Sequence, residues 1–586
     1  MTKNLPTILR LRTLVLSLSV ALLAACASEP PKNTAVEQPA ATLASKVEPQ
    51  YLPFPDDSFH ELLVAEFAIR RQQYGLALSN YMLQAEATGD LGVIATAARL
   101  AQYINDDETA LNATQLWLER EPEAAEAHFI KASALAKMRR PVEALSHMAR
   151  VMGSEQETNF ASLSASVLSL TEAEQQRYEN RLIALLAEHP NDLNLKTGLA
   201  LLLQYRNQEQ RSLTLIREVL ALEPSSVHAL LIETRVLQQL DRNEEAIERL
   251  RFAVDRFPNH TRLRLNLAQL LARTDIYQAK AQYTVLDNQN PNDGSIRLAL
   301  ALVNQEIGDL GDAKRLLRRL LTDPLQKDSA SYFLGRIAER EQRWSDAVAH
   351  YREVGPSAQL MPALTRLVQV QHEHQGIEQT RMELLTAREK YPALSIQLLL
   401  MESDLLFDQR HYNDGHNLLS QALKQYPQNT NLLYARSLFS ERRKNVALME
   451  QDLRTILGND PDNATALNAL GYSLAVLTDR LEEASSLVRK ALQLRPDDPA
   501  IQDSYGWIAY RQGNLSLAEN YLQQAYEQSK DHEIAAHLGE VLWRLSRRQQ
   551  ALGVWREGLN LTPGSPIILE TLQRLNVSVP AAESPN

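Results

Sequence analysis

With 586 residues, the chain is too long for one compact core unless it is a repeat protein whose units pack only against their neighbours. Hydrophobic residues make up 44%, charged residues 23% and aromatic residues only 6%, which is typical of a helical protein and excludes a buried parallel sheet rich in β-branched runs. A net charge of −11, without a dense block of lysine and arginine, argues against nucleic acid as the main partner.

The first predicted element is a signal peptide over residues 1–25. Lys3, Arg10 and Arg12 precede the apolar run "LVLSLSVALLAA", which is too short for a transmembrane helix of about twenty residues. The segment ends in "LAAC", and its Cys26 is the only cysteine of the chain. This pattern resembles the signal of bacterial lipoproteins. The alternative is an ordinary secretory signal followed by an incidental cysteine.

The lipoprotein resemblance implies a covalent membrane anchor and a location in the cell envelope. A peptidase would cut before Cys26, whose sulfur would carry diacylglycerol and whose amino group would be acylated, and several acyl chains hold a protein firmly on a membrane. Ala27 follows the cysteine where an aspartate would mark retention in the inner membrane. The resemblance therefore implies the inner leaflet of the outer membrane, facing the periplasm. No other cofactor is expected.

Residues 26–57 are predicted to be the lipidated cysteine followed by a disordered tether. The stretch after Cys26 is rich in proline, alanine, serine and threonine and has few large apolar side chains. Folding is expected to begin near Asp57, with Ser58 capping the first helix ahead of "FHELLVAEFAIRRQ".

A ladder of prolines indicates an internal repeat across residues 58–565. Most steps of the ladder are 32 to 36 residues long, and two longer steps are close to double, so the period is about 34 residues. Most of these prolines follow an amphipathic run, where they end a helix. The ladder consists of Pro122, Pro190, Pro224, Pro258, Pro291, Pro324, Pro356, Pro392, Pro427, Pro461, Pro496 and Pro563.

Small residues recur at fixed positions within this period. Counted from Pro499, Gly506 stands at position 8, Ala518 at 20 and Ala525 at 27, where they allow neighbouring helices to approach closely. The pattern resembles the tetratricopeptide repeat, which implies an all-α, right-handed superhelical solenoid of about fifteen helix pairs. Residues 566–586 are predicted to form a capping helix, "PIILETLQRL", and a disordered tail.

Two stretches, residues 154–189 and 353–391, depart from the repeat. In the first, Thr171 and Glu174 are predicted to form a capping box at the start of a helix. Departures from a repeat often mark functional sites, so both stretches are alternative docking sites.

No catalytic or metal site is expected. His372 and His374 are two residues apart and would point to different faces of one helix, while His411 and His416 span a predicted turn without a third ligand. The sequence "NPNDGS" lacks the glutamate of a calcium loop, and there is no phosphate loop, dinucleotide fingerprint or nucleophile elbow. The chain is therefore not expected to be an enzyme.

The candidate binding surface lies on the C-terminal repeats. By resemblance to tetratricopeptide domains, positions 2, 5, 9, 12 and 13 of each unit face a concave groove, and aromatic and arginine side chains there are typical of protein-binding hot spots. The alternative is that the aromatic side chains pack between helices, as expected for Trp555 at position 24. The candidates are Asn468, Tyr472, Asp503, Trp507, Tyr510, Arg511, Glu540, Trp543 and Arg544.

The overall layout resembles one family of outer-membrane lipoproteins, the LbcA-type adaptors of the periplasmic carboxyl-terminal processing protease. The resemblance rests on "LAAC", the tether and some five hundred residues of repeats. It implies a protein that binds the protease and also captures peptidoglycan hydrolases for degradation. The alternative is an assembly or pilot lipoprotein of a secretion, pilus or polysaccharide-export complex.

Overall fold

The computed structural model describes residues 54–578, and the regular structure in this range is entirely helical. Thirty-one α-helices follow one another here as fifteen pairs and a final single helix. The predicted all-α fold built from helix pairs is therefore confirmed. The predictions for segment 1–25, for Cys26, for the tether up to residue 53 and for the tail from residue 579 lie outside the described residues.

The chain divides into two compact units, and the first ends at Val236. The helices of the first unit are α1 (Ser58–Arg70), α2 (Tyr74–Thr88), α3 (Leu91–Ile104), α4 (Asp107–Arg120), α5 (Ala125–Lys137), α6 (Pro141–Val151), α7 (Phe160–Ser166), α8 (Glu172–Glu188), α9 (Leu193–Tyr205) and α10 (Glu209–Leu222). From α1 to α7, each helix contacts the next along the chain, and α7 then packs against α9. The first helix of the second pair also contacts the first helix of the third.

The second unit begins at Leu237, within α11 (Val227–Gln239). Odd-numbered helices are the first and even-numbered helices the second of each pair. The further helices are α12 (Asn243–Arg256), α13 (Thr261–Thr274), α14 (Ile276–Gln289), α15 (Gly294–Ile307), α16 (Leu310–Leu320), α17 (Lys327–Arg340), α18 (Trp344–Arg352), α19 (Leu360–Gln375), α20 (Ile377–Lys390), α21 (Ser395–Asp408), α22 (Tyr412–Gln425), α23 (Thr430–Arg442), α24 (Val446–Asn459), α25 (Ala464–Leu477), α26 (Leu481–Leu494), α27 (Pro499–Arg511), α28 (Leu515–Gln528), α29 (His532–Arg544), α30 (Arg548–Leu561) and α31 (Pro566–Leu575).

Close packing within the pairs depends on the small residues that mark the repeat. A Cβ atom added to Gly506 would lie 2.7 Å from Leu522 Cγ of the second helix. At Gly539, an added Cβ would collide with the indole ring of Trp555. Trp555 has no exposed surface, so the prediction that it belongs to the core is confirmed. The glycines therefore serve close helix approach, and large side chains from the second helix fill the space they leave.

The two irregular stretches of the sequence are also irregular in structure. In the first, α7 has only seven residues and continues into a 3₁₀-helix, Val167–Ser169. The predicted capping box is confirmed, because Thr171 and Glu174 hydrogen-bond reciprocally at the start of α8. The second stretch lies between two irregular elements: α18, which ends just before it, has only nine residues, and a 3₁₀-helix, Pro392–Leu394, follows it and precedes α21.

The predicted cap of the first helix is wrong by one residue. Ser58 is the first residue of α1, and Asp57 occupies the cap position without a side-chain hydrogen bond to the helix. The Ser58 side chain is buried instead, and its hydroxyl has no hydrogen-bond partner among residues 54–578. Serine favours the cap position by propensity, but at Ser58 the side chain is buried within the first turn of the helix.

Candidate protein-binding surface of the C-terminal repeats

The first helices of the last repeats form one continuous layer. The helices α25, α27, α29 and α31 each contact the next member of this series directly. Residues one repeat apart on these helices are therefore close in space, so that side chains separated by about 34 positions can bond to each other. All nine predicted groove residues lie on the helices of this layer.

Asp503 on α27 and His537 on α29 form a buried pair. His537 Nδ1 lies 3.0 Å from both carboxylate oxygens of Asp503, and the two residues are only 4% and 7% exposed, respectively. Burial alone lowers the pKa of His537, but the Asp503 carboxylate, together with Glu533 and Glu540, raises it above its ordinary value. The pair therefore links two successive repeats through the interior.

Glu540 on α29 is the second buried carboxylate, with 1% exposure. It accepts two hydrogen bonds from the Arg574 guanidinium of α31, at 2.7 and 2.5 Å, and a third from the Tyr510 hydroxyl of α27, at 2.7 Å. Burial by itself raises the pKa of Glu540, but these donors stabilise the anion and lower the pKa below its usual range. Arg544 Nε also donates to the Tyr510 hydroxyl, at 3.2 Å.

Aromatic rings cover this charged layer. The Trp507 indole stacks on the His537 imidazole, with ring centroids 4.1 Å apart, and its centroid lies 4.9 Å from that of Tyr510. The Tyr472 ring of α25 lies 6.1 Å from that of His537. We call this assembly the first-helix network, which consists of Tyr472, Asp503, Trp507, Tyr510, His537, Glu540, Arg544 and Arg574.

The structure brings six of the nine predicted groove residues into the network and leaves three outside. Arg511 reaches back to α25, where its guanidinium donates to the Ala475 carbonyl at 2.5 Å. The Trp543 ring turns toward α30, with its centroid 5.9 Å from that of Trp555 and with Arg548 over its face. Asn468 makes no bond to the network, and its side-chain oxygen is buried without a partner among the described residues.

His537 and Arg574 were missed by the sequence analysis. His537 occupies position 6 of its repeat, one residue beyond the expected groove position, and Arg574 lies in the final helix, for which the sequence predicts only a capping role. The spacing contained a usable indication, because Asp503 precedes His537 by 34 residues and Glu540 precedes Arg574 by the same distance. Opposite charges separated by one period predict such a bond.

The other candidate side chains do not form a metal site. His374 stacks on Trp344, with centroids 4.0 Å apart, and His411 bonds to Asp414 at 3.2 Å. His416 belongs to α22 and not to the turn that the sequence suggested. Within residues 54–578, no three histidine, cysteine, aspartate or glutamate side chains are grouped as metal binding requires.

Over the same range, no helix combines the length and the apolar character needed to cross a bilayer.

Comparison with known proteins supports the repeat assignment. The family model described as tetratricopeptide repeat matches residues 234–284, 298–359, 400–448, 450–499 and 506–566. A relative from Pseudomonas aeruginosa, TPR repeat-containing protein PA4667, is 38% identical over 513 residues, which cover 87% of this chain and 86% of the relative. The human tetratricopeptide repeat protein 7A is 27% identical over 193 residues, which cover 33% of this chain and 18% of the human protein.

Among solved structures, the Cut9 complex with Hcn1 from the APC/C matches 89% of this chain and 96% of its own, with 13% identity and a TM-score of 0.32. A tetratricopeptide repeat protein from Thermus thermophilus, TTC0263, matches 31% of this chain and 99% of its own, with 21% identity and a TM-score of 0.29. The assignment rests on the extent of the bacterial relative and on the succession of helix pairs. The chain belongs to the tetratricopeptide repeat family.

Proposed function

We propose that the chain is a lipid-anchored, non-catalytic scaffold that binds a periplasmic carboxyl-terminal processing protease and delivers peptidoglycan hydrolases to it. The first-helix network is the observation that carries the binding role. Its buried carboxylates, Asp503 and Glu540, are fully engaged by partners and so hold Trp507 and Tyr510 in fixed positions. Rigid aromatic side chains beside the exposed Arg544 suit a protein-binding hot spot.

The proposed mechanism is effective concentration. A protease and its substrate held on one chain meet in an intramolecular step, which raises their encounter frequency without any new contact between them. An anchor at Cys26 adds to this effect by confining the scaffold to the membrane that faces the substrates. The scaffold itself supplies no catalytic group in this mechanism.

Affinity capture tests the proposed partners. We expect the tagged chain to recover a carboxyl-terminal processing protease together with cell-wall hydrolases from an envelope extract. Replacing Tyr510 by alanine removes one donor to Glu540 and one ring of the surface, so we expect at least a ten-fold loss of recovered protease, as for an interface hot spot of about 1.4 kcal/mol or more.

Tyr277→Ala is the matched control, because Tyr277 is an exposed tyrosine, at 69%, on the second helix α14. It is expected to leave capture unchanged. Recovery of secretion, pilus or export components without a protease would contradict the adaptor role and support an assembly role. Equal losses from both tyrosine variants would show that the network is not the binding surface.

Membrane fractionation tests the anchor. Cys26→Ser removes the only cysteine of the chain, and with it the thiol that would carry the diacylglycerol. We therefore expect the variant to move from the outer-membrane fraction to the soluble periplasmic fraction. Capture of partners in extract should persist, because the repeats are unchanged. Retention of Cys26→Ser in the membrane fraction would contradict the lipoprotein assignment.

A further inference from the structure

The second irregular stretch begins where a helix ends early. The helix α18 has nine residues, whereas most second helices of this unit have fourteen, and the chain continues through residues 353–359 as a linker. The linker is held in place at two points. Gly355 N–H donates to Asp328 Oδ1 at 2.8 Å, and the Tyr391 hydroxyl donates to the Val354 carbonyl at 3.2 Å. The segment that departs from the repeat is therefore an ordered part of the structure, held by specific hydrogen bonds.

A cleft of about 250 Å³ lies beside this linker. Val354 of the linker, Leu360 and Leu364 of α19 and Ala387 of α20 contribute to its walls, and each of them is at most 6% exposed. The cleft is smaller than the roughly 300–1,000 Å³ typical of small-molecule sites. Its size and apolar walls suit one large side chain.

The rim of the cleft carries an excess of positive charge. Arg352 pairs with Glu383 across it, at 2.5 Å. Lys390 also lines the cleft, lies 5.1 Å from the centre of the Tyr391 ring, and has no ion pair among residues 54–578. Two cations and one carboxylate leave a net charge of +1, which favours an acidic group on whatever enters.

The apolar surface continues outside the cleft along α20. Met382 and Leu385, three positions apart and so on one face of this helix, are 59% and 43% exposed. A segment whose side chain enters the cleft could cover them with its flanking residues.

We propose that this cleft binds a segment of a partner protein through one large apolar side chain, phenylalanine or leucine, that stands next to an aspartate or glutamate. The apolar side chain fills the cleft, and the carboxylate meets Lys390 at the rim. This surface is formed by α18, α19 and α20 and shares no residue with the first-helix network. The chain thus has a second, chemically different contact site for proteins.

Fluorescence anisotropy tests this proposal with the full-length chain in detergent. The probe is a fluorescein-labelled peptide, Gly-Ser-Asp-Phe-Asp-Ser-Gly, and its matched controls carry alanine in place of phenylalanine or lysine in place of both aspartates. We expect saturable binding of the probe at or below about 1 mM, and at least ten-fold weaker binding of each control peptide. Equal binding of the three peptides, or no saturable binding of the probe, would overturn the proposal.

Two variants locate the binding on the chain. Thr386→Trp places a large ring at the mouth of the cleft, and Lys390→Glu reverses the charge of the rim lysine that has no ion pair among the described residues. We expect each variant to bind the probe at least ten-fold more weakly. Their matched controls are Thr214→Trp on α10, an exposed threonine with the same bond to the carbonyl four residues earlier, and Lys424→Glu on α22. Unchanged affinity in both cleft variants would overturn the assignment, even if the probe binds elsewhere.

Discussion

Replacing Trp555 by alanine is expected to lower the free energy of unfolding of the last repeats by about 3–5 kcal/mol, the usual cost of deleting a large aromatic side chain from a core. Trp555 is fully buried and fills the space that Gly539 leaves between α29 and α30. Its indole N–H also donates to the Ala536 carbonyl at 3.3 Å. The surrounding backbone cannot close around the void without breaking this helix contact.

Hydrogen exchange resolved by helix is the suitable measurement, since a long repeat array does not unfold in one step. Protection in α29, α30 and α31 should fall, while the helices before α25 keep theirs. Trp555→Phe is the control, because it removes the indole N–H but keeps most of the volume, and it should cost less than half as much. A loss below about 1 kcal/mol in Trp555→Ala would show that the site collapses and that the packing argument is wrong.

Asp503→Ala is expected to have a comparable effect, about 3–5 kcal/mol, because it leaves the His537 imidazole buried without its counter-charge. The Asp503 carboxylate is the main group that holds the pKa of His537 above its ordinary value against the effect of burial. Protection of α27 and α29 against hydrogen exchange should therefore fall. The double variant Asp503→Ala/His537→Ala should lose less free energy of unfolding than the two single variants lose in sum, because the double variant leaves no member of the pair buried without its partner.

The same pair gives the stability of the last repeats a pH dependence. A histidine whose pKa is raised on folding contributes stability that is fully present below its unfolded pKa of about 6.5 and is lost as the pH rises through the folded value. Protection of α29 should therefore decrease as the pH rises above about 6.5 in the wild-type chain. The groups facing His537 are Asp503, Glu533, Glu540 and Tyr472. His537→Gln should flatten the profile, and an unchanged slope would assign it to another group.

The helix pairs were predictable because the repeat imposes the same packing requirement many times. Gly506 and Gly539 occupy the same position of their first helices, where a large side chain of the second helix approaches too closely for an added Cβ atom. The register of these residues therefore fixes which helices pair. Ser58 shows the limit of such reasoning, because the propensity of a single residue at a helix start is outweighed by its burial.

The candidate surface was only partly predictable. The position of a residue in the repeat predicts which face of the helix it lies on, but not which side chains it bonds to. Asp503 and Glu540 occupy expected groove positions, but they lie inside because His537 and Arg574 neutralise them. Trp543 also occupies such a position, but it packs toward α30 because Trp555 offers it a partner ring. The cleft beside α18 depends on where a helix ends, and the proline spacing indicated irregularity there without indicating a cavity.

The bonds between repeats span short distances along the chain. Asp503 and His537 are 34 residues apart, as are Glu540 and Arg574, and the bond from Tyr391 to Val354 spans only 37. Contacts of such low order close small loops and form quickly. Each helix pair can thus make its contacts with the following pair as soon as that pair has been synthesised. The chain can therefore fold progressively from its first repeat, before its C-terminal end has been synthesised.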